Sequence, residues 1–187
     1  MQQKNVNWKK YGLWNTNVYG ILKCKGVAIM SVERARKFLS QFGMEDKIIT
    51  FKESSATVEL AAKAAGTEPA RIAKTLSFAG KEHPVLIVTA GDTKIDNARF
   101  KHFFGMKAHM LPFAEVEEQI GHAPGGVCPF GVNEGVKVYL DISMKRFPTM
   151  FPAAGEENNA IELTPEELEK YTVNEGWVDL CKGWQDN

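Results

Sequence analysis

Two apolar runs, Ala73 to Phe78 and Pro84 to Ala90, stand only five residues apart and constrain the fold of this chain more than any other feature. The connecting Ala79-Gly80-Lys81-Glu82-His83 is polar and turn-forming, so the pair predicts a hairpin of buried strands. Strands that are apolar on both faces must be covered on both faces, so helices are required around such a sheet.

Those helices are legible from their caps. Ser31 precedes Val32, Ala35, Phe38, Leu39 and Phe42 at helical spacing, with Gly43 at the end. Thr57 caps Val58 to Ala65, an alanine-rich helix stopped by Gly66, and Asp96 caps a helix through Phe104. Pro112 opens a short helix through Ile120, and Thr164-Pro165-Glu166-Glu167 has cap, proline and glutamate in the order of a capping box. Further strands are predicted at Lys47 to Phe51, Lys107 to Leu111 and Val136 to Ile142, and shorter ones at Phe147 to Phe151 and Ala160 to Leu163. Strand and helix do not alternate steadily, which favours an α/β fold with a mixed sheet flanked by helices over a doubly wound parallel one.

The 187 residues suit one domain, expected over 31–187. Residues 1–30 differ in character: Trp8, Tyr11, Trp14 and Tyr19 lie among asparagines and lysines without helical or strand period. Lys25-Gly26-Val27 would be encoded by AAAGGAGTN, which is how a bacterial ribosome-binding site reads when translated. Met30 is therefore expected to be the native start, with a basic RNA-touching arm as the alternative. Val18 to Leu22 is too short for a signal peptide or a membrane span.

Formal net charge is zero, from 23 basic and 23 acidic residues. All five charges before residue 31 are lysines, leaving 18 basic against 23 acidic residues, a net −5, in the remainder. Any nucleic acid would be held by a local patch rather than a global field. Cys24, Cys128 and Cys181 match neither a disulfide framework nor a zinc motif, which points to a reduced, cytoplasmic protein. His83, His102, His109 and His122 are scattered, and no metal is expected. Neither G-x-G-x-x-G nor G-x-x-x-x-G-K-[ST] occurs, so no nucleotide cofactor is expected.

Chemistry is concentrated in two places. Gly125-Gly126-Val127-Cys128-Pro129-Phe130-Gly131 holds three glycines and a proline, a loop in which main-chain N–H groups can approach and stabilise an oxyanion. A tight turn without function fits the same residues. Lys74 is the one charge in the run from Ile72 to Phe78, where partial desolvation would strengthen its hold on a phosphate or carbonyl. A lysine snorkelling at a strand end is the plainer reading. Cys128 with His122 as base would make a thiol hydrolase, but a spacing of six residues does not by itself ensure contact, and buried packing suits Cys128 better. Gly91-Asp92 follows a buried strand, where substrate contacts and simple turns both occur. Lys94, Arg99, Lys101 and Lys107 would form a basic surface if they shared one side.

Taken together, Ser54-Ser55-Ala56-Thr57, Arg71-Ile72-Ala73-Lys74-Thr75-Leu76, the Gly91-Asp92 turn and the GGVCPFG loop resemble the YbaK/EbsC/ProX family. These are relatives of the editing domain of bacterial prolyl-tRNA synthetase, and the resemblance covers about residues 31–183. It implies a partly barrel-like central sheet and hydrolysis of mischarged aminoacyl-tRNA, commonly tRNA(Pro), without metal or other cofactor. The partners implied are the acceptor end of aminoacyl-tRNA and an aminoacyl-tRNA synthetase, with no membrane. Lys74 falls on the family lysine, expected to hold the terminal adenosine or its phosphate. Gly125 and Pro129 complete the family's G-x-x-x-P pattern, with Gly125 and Gly126 expected to supply catalytic backbone groups. Thr57, Gly91, Asp92, Val127, Pro129, Ala153 and Ala160 are expected to contact the substrate. Ala153 and Ala160 stand where the Cys-tRNA(Pro) deacylase branch has serine and aspartate, which argues for alanine or another small aliphatic substrate. Asn158 or Asn159 could instead receive the hydroxyl of serine or threonine. A binding module of the same fold without turnover is the alternative function.

Overall fold

The computed structural model of the chain describes residues 31–52 and 57–185. The expected N-terminal extension, the Met30 start and Ser54 to Ala56 lie outside the described residues. In chain order the elements are α1 (Ser31–Ser40), β1 (Ile49–Thr50), α2 (Val58–Ala65), β2 (Ile72–Phe78), β3 (Val85–Ala90), β4 (Lys94–Ile95) and α3 (Asn97–Phe104). There follow α4 (Phe113–Ile120), β5 (Lys137–Asp141), β6 (Phe151–Pro152), β7 (Asn159–Ala160), α5 (Pro165–Lys170), β8 (Trp177–Val178) and β9 (Cys181–Lys182).

The predicted hairpin is the centre of the molecule. β2 and β3 pair antiparallel from Ala73 with Ala90 to Phe78 with Val85. Parallel neighbours extend them into a mixed five-stranded sheet ordered β6-β2-β3-β5-β8. Every residue of β3 is buried. Leu86, Val88 and Ala90 enter one core with Ala35, Leu39, Ile120, Leu140 and Leu168, while Val85 and Ile87 pack on the other face with Phe78, Phe100 and Leu180. Two covered faces explain why the run is apolar apart from Thr89: each fully buried aliphatic side chain stabilises by roughly 1.5–3 kcal/mol.

A bridge between Ala153 and Ala160 continues the pairing from β6 to β7, and β7 pairs with β1. This extension, with α2 above it, encloses a third apolar cluster of Ala62, Ile72, Phe151 and Ala160.

The caps at Thr57, Asp96 and Thr164 form as predicted, including both bonds of the Thr164–Glu167 capping box. Ser31 departs from expectation. It is itself helical, and its hydroxyl accepts from the Ala123 N–H at 2.8 Å, tying the helix to the segment before the glycine loop. Pro112 is the residue before α4 rather than its first.

The weaker strands shrink. Lys47 ends a 3-10 turn, leaving Ile49–Thr50 as β1. Lys107 to Leu111 is represented by one bridge, Met110 to Phe78. Phe147 to Phe151 is reduced to its end, with Met150 in a bridge to Leu163, because Pro148 and Pro152 bring no N–H to a ladder. At Ala160 to Leu163 only Ala160 lies in a strand, paired as part of β7. β4, β8 and β9 have two residues each, too few to show a period.

Candidate active site

A cavity of about 230 Å³ opens where β6 stops pairing with β2, beyond Ala73. Its walls are β2 from Ile72 to Thr75, the Val58, Ala61 and Ala65 side of α2, Gly125 and Val127 of the glycine loop, and residues of the segment from Phe151 to Ala160. Six of the ten predicted site residues meet here: Thr57, Lys74, Gly125, Val127, Ala153 and Ala160. Gly91, Asp92, Gly126 and Pro129 do not line it. A wider depression of about 490 Å³ on α3, lined by Arg99, His102 and Phe103 among others, brings none of the motifs together.

Lys74 is half-buried on β2 opposite Thr89. Its ammonium donates to the Gly91 carbonyl at 3.1 Å and to the Thr93 carbonyl. An ammonium has three donors, so one N–H remains for a ligand. Burial pushes its pKa below the usual lysine value, against the opposing pull of Cys181 and Asp92. The simple snorkelling lysine is thereby replaced by one fixed to main-chain oxygens.

The two residues expected beside it hold the turn. The Asp92 carboxylate receives both terminal nitrogens of Arg146, at 2.9 and 2.6 Å. A Cβ on Gly91 would meet the Pro69 carbonyl oxygen at 2.1 Å and Val58 at 2.7 Å, so glycine is required there by close packing.

The glycine loop divides in the same way. Gly125 is exposed at φ +91°, in the left-handed region that favours glycine. Gly126 is buried; its N–H donates to the Ala123 carbonyl at 3.0 Å, and a Cβ would meet the Gly155 carbonyl oxygen at 2.3 Å. This corrects the expectation that Gly126 offers a donor to substrate. Among the described residues, the N–H groups of Gly125 and Val127 donate to no acceptor. Both residues line the cavity.

The thiol hydrolase is excluded by its surroundings. Cys128 Sγ lies 3.6 Å from His122 Nε2, closer than the sequence spacing ensured, and both are buried. His122 Nε2 is 2.8 Å from the Phe130 carbonyl, which can only accept, so this nitrogen carries the proton and cannot take one from the thiol. Burial holds the imidazole neutral, with its pKa lowered to about 4, and pushes the Cys128 thiol up to about 12.

Three polar lining residues, Thr75, Glu156 and Glu157, lie outside the predicted site. Thr75 Oγ1 is buried and has no hydrogen-bond partner among the described residues, leaving a bare hydroxyl beside an apolar floor. A threonine next to Lys74 was the available clue. Glu156 and Glu157 add negative charge to a segment read mainly for its alanines. Asn159 lines the cavity, but its Oδ1 accepts from Ala154 and Glu156 N–H at 3.1 and 3.2 Å, so that oxygen is not open to a substrate hydroxyl. The side chain of Asn158 reaches the Phe51 carbonyl at 3.5 Å and is not among the lining residues.

Among the described residues, no group of three histidine, cysteine or acidic side chains could hold a metal ion, and no helix is long and apolar enough to cross a membrane. Of the residues of the predicted basic surface, Arg99 is paired with Asp179.

The mixed sheet flanked by helices is the fold of an editing domain, as the comparisons show. The aminoacyl-tRNA editing domain family matches residues 52–171, and the chain belongs to that family. It is 50% identical over 157 residues to the uncharacterized protein YwhH of Bacillus subtilis strain 168, covering 83% of this chain and all of that one. It is 30% identical over 104 residues to the proline--tRNA ligase of Kosmotoga olearia, an alignment that takes 54% of this chain and only 18% of the ligase. Among solved structures, a candidate trans-editing enzyme for prolyl tRNA synthetase superposes with a TM-score of 0.74 at 30% identity, over 82% of this chain and 98% of that one.

Proposed function

We propose that this chain is a trans-acting deacylase that hydrolyses the ester between a small, wrongly attached amino acid and tRNA(Pro). The observation that carries this reading is that Lys74, a small-residue floor, and Gly125 and Val127, whose N–H groups donate to no acceptor among the described residues, line one cavity. Water adds to the aminoacyl carbonyl, the bond to the ribose oxygen breaks, and free amino acid and intact tRNA leave. The two loop N–H groups face the oxygen on which charge develops, and Lys74 holds the terminal adenosine or its phosphate through its remaining N–H. The neighbouring ribose hydroxyl assists the water, which removes the need for the His122–Cys128 pair. Glu156 and Glu157 give the α-ammonium of the substrate a negative surface. Ala153 and Ala160 keep the floor small and apolar, which suits alanine.

The deciding experiment measures amino acid release from tRNA(Pro) charged with Ala, Cys, Ser, Thr or Pro. Release of alanine is expected to be fastest, and Lys74→Ala should lower it by about 10²-fold or more. Binding of tRNA without release from any substrate would instead identify a recognition module, and full activity of Lys74→Ala would remove Lys74 from the site.

A further inference from the structure

Lys74 owes its position to main-chain atoms of one short turn. The two carbonyls that receive its ammonium belong to Gly91 and Thr93, which flank Asp92. The Asp92 carboxylate makes a two-point contact with Arg146 at 2.9 and 2.6 Å. Arg146 is itself immobilised. Its Nε donates to the Ser143 carbonyl at 2.8 Å, and its guanidinium lies 4.8 Å from the Phe147 ring centre and 5.2 Å from that of Trp184. The side chains of the pair are only 21% and 26% exposed, which limits screening by solvent and salt. On the far side the turn cannot retreat, because Gly91 already touches Pro69 and Val58 within the space of a Cβ. Thr93 is tied down as well, its hydroxyl donating to the Ala90 carbonyl at 2.8 Å.

We propose that the Asp92–Arg146 pair is the positioning device for Lys74: by fixing the 91–93 turn, it directs the remaining ammonium N–H into the cavity. The proposal rests on the reading of Lys74 as the group that holds the substrate end. It makes Asp92 a positioning residue rather than a substrate contact. The geometry asks for arginine in particular. A planar fork can bind both carboxylate oxygens while resting against two rings, and a lysine ammonium cannot. A misplacement of about 1 Å in a group that orients substrate costs on the order of 10²-fold in rate, so a pair that never touches substrate can control turnover.

The test uses the full chain with Arg146→Lys and Asp92→Asn, each alone and combined with Lys74→Ala. Each single variant is expected to lower kcat for amino acid release by tenfold or more, with KM within about threefold and the urea midpoint near that of wild type. In the Lys74→Ala background the same changes should cost less than twofold, because the positioned group is already gone. Losses that add in full to that of Lys74→Ala would overturn the proposal, since the pair would then act elsewhere. An independent readout is the rate at which acetic anhydride modifies Lys74, followed by peptide mass analysis. It should change several-fold in Arg146→Lys, and an unchanged rate would also overturn the proposal. A changed labelling rate with unaltered catalysis would show a positioned lysine with no catalytic use, which overturns the underlying reading of Lys74 rather than the placement of the turn.

Discussion

The two walls of the cavity are built on opposite principles. On the strand wall, Lys74 is held by two carbonyls, and its turn is held by an ion pair and a threonine hydroxyl. On the loop wall, backbone packs directly on backbone. Gly126 rests directly on the backbone of Gly155, Gly155 on that of Ser31, and Gly131 on that of Arg34. A flexible charged side chain needs many partners to hold one direction, whereas a main-chain amide needs only a fixed backbone and an uncovered N–H. The contrast separates residues that support the site from those that face it.

The largest effect expected on the loop wall comes from behind it. His122 titrates near 6.5 when unfolded and near 4 in the fold, so between those values the unfolded chain binds the extra proton. Stability contributed by neutral His122 is therefore complete above pH 6.5 and lost as pH falls toward 4, by roughly 3 kcal/mol in all. Urea unfolding at pH 7 and pH 4.5 should show a smaller drop for His122→Gln than for wild type, and equal drops would break the assignment.

Next comes the loop itself. Gly126→Ala forces a Cβ onto the Gly155 carbonyl and should cost about 1–3 kcal/mol in urea unfolding. Gly125→Ala meets nothing closer than 3.8 Å and carries only the left-handed backbone penalty of about 1–2 kcal/mol. Its activity, however, should fall further than its stability implies. If Gly126→Ala harmed turnover more than Gly125→Ala at equal folded fraction, the division between support and donor would be reversed.

Thr75 tests the strand wall. Thr75→Val keeps the shape and removes a buried hydroxyl that has no partner among the described residues, so the urea midpoint should rise while kcat/KM falls about fivefold, an interaction of ~1 kcal/mol. An unchanged kcat/KM would mean that the hydroxyl meets no substrate. The smallest effect is expected from Cys128→Ala: a thiol shifted to about 12 contributes no nucleophile, and release of amino acid should stay within about twofold of wild type.

The sequence by itself determined the buried hairpin, the capped helices and the two motifs. Each of these depends on local chemistry: apolar runs bounded by turn residues, side-chain oxygens at helix starts, and glycine where the backbone must turn. Lys74 and Gly125, which line one cavity, stood out in the sequence because a charge in an apolar strand and a glycine cluster are anomalies at short range. Long-range pairing decided the rest. Two-residue strands such as β7 and β9 have no period of their own and exist only because a distant strand supplies their partners. The roles of Gly91, Asp92 and Gly126 likewise depended on Pro69, Arg146 and Gly155, each far away along the chain. A glycine that frees an amide and one that makes room for a neighbouring backbone are the same letter, and only the atoms packed against them tell the two apart.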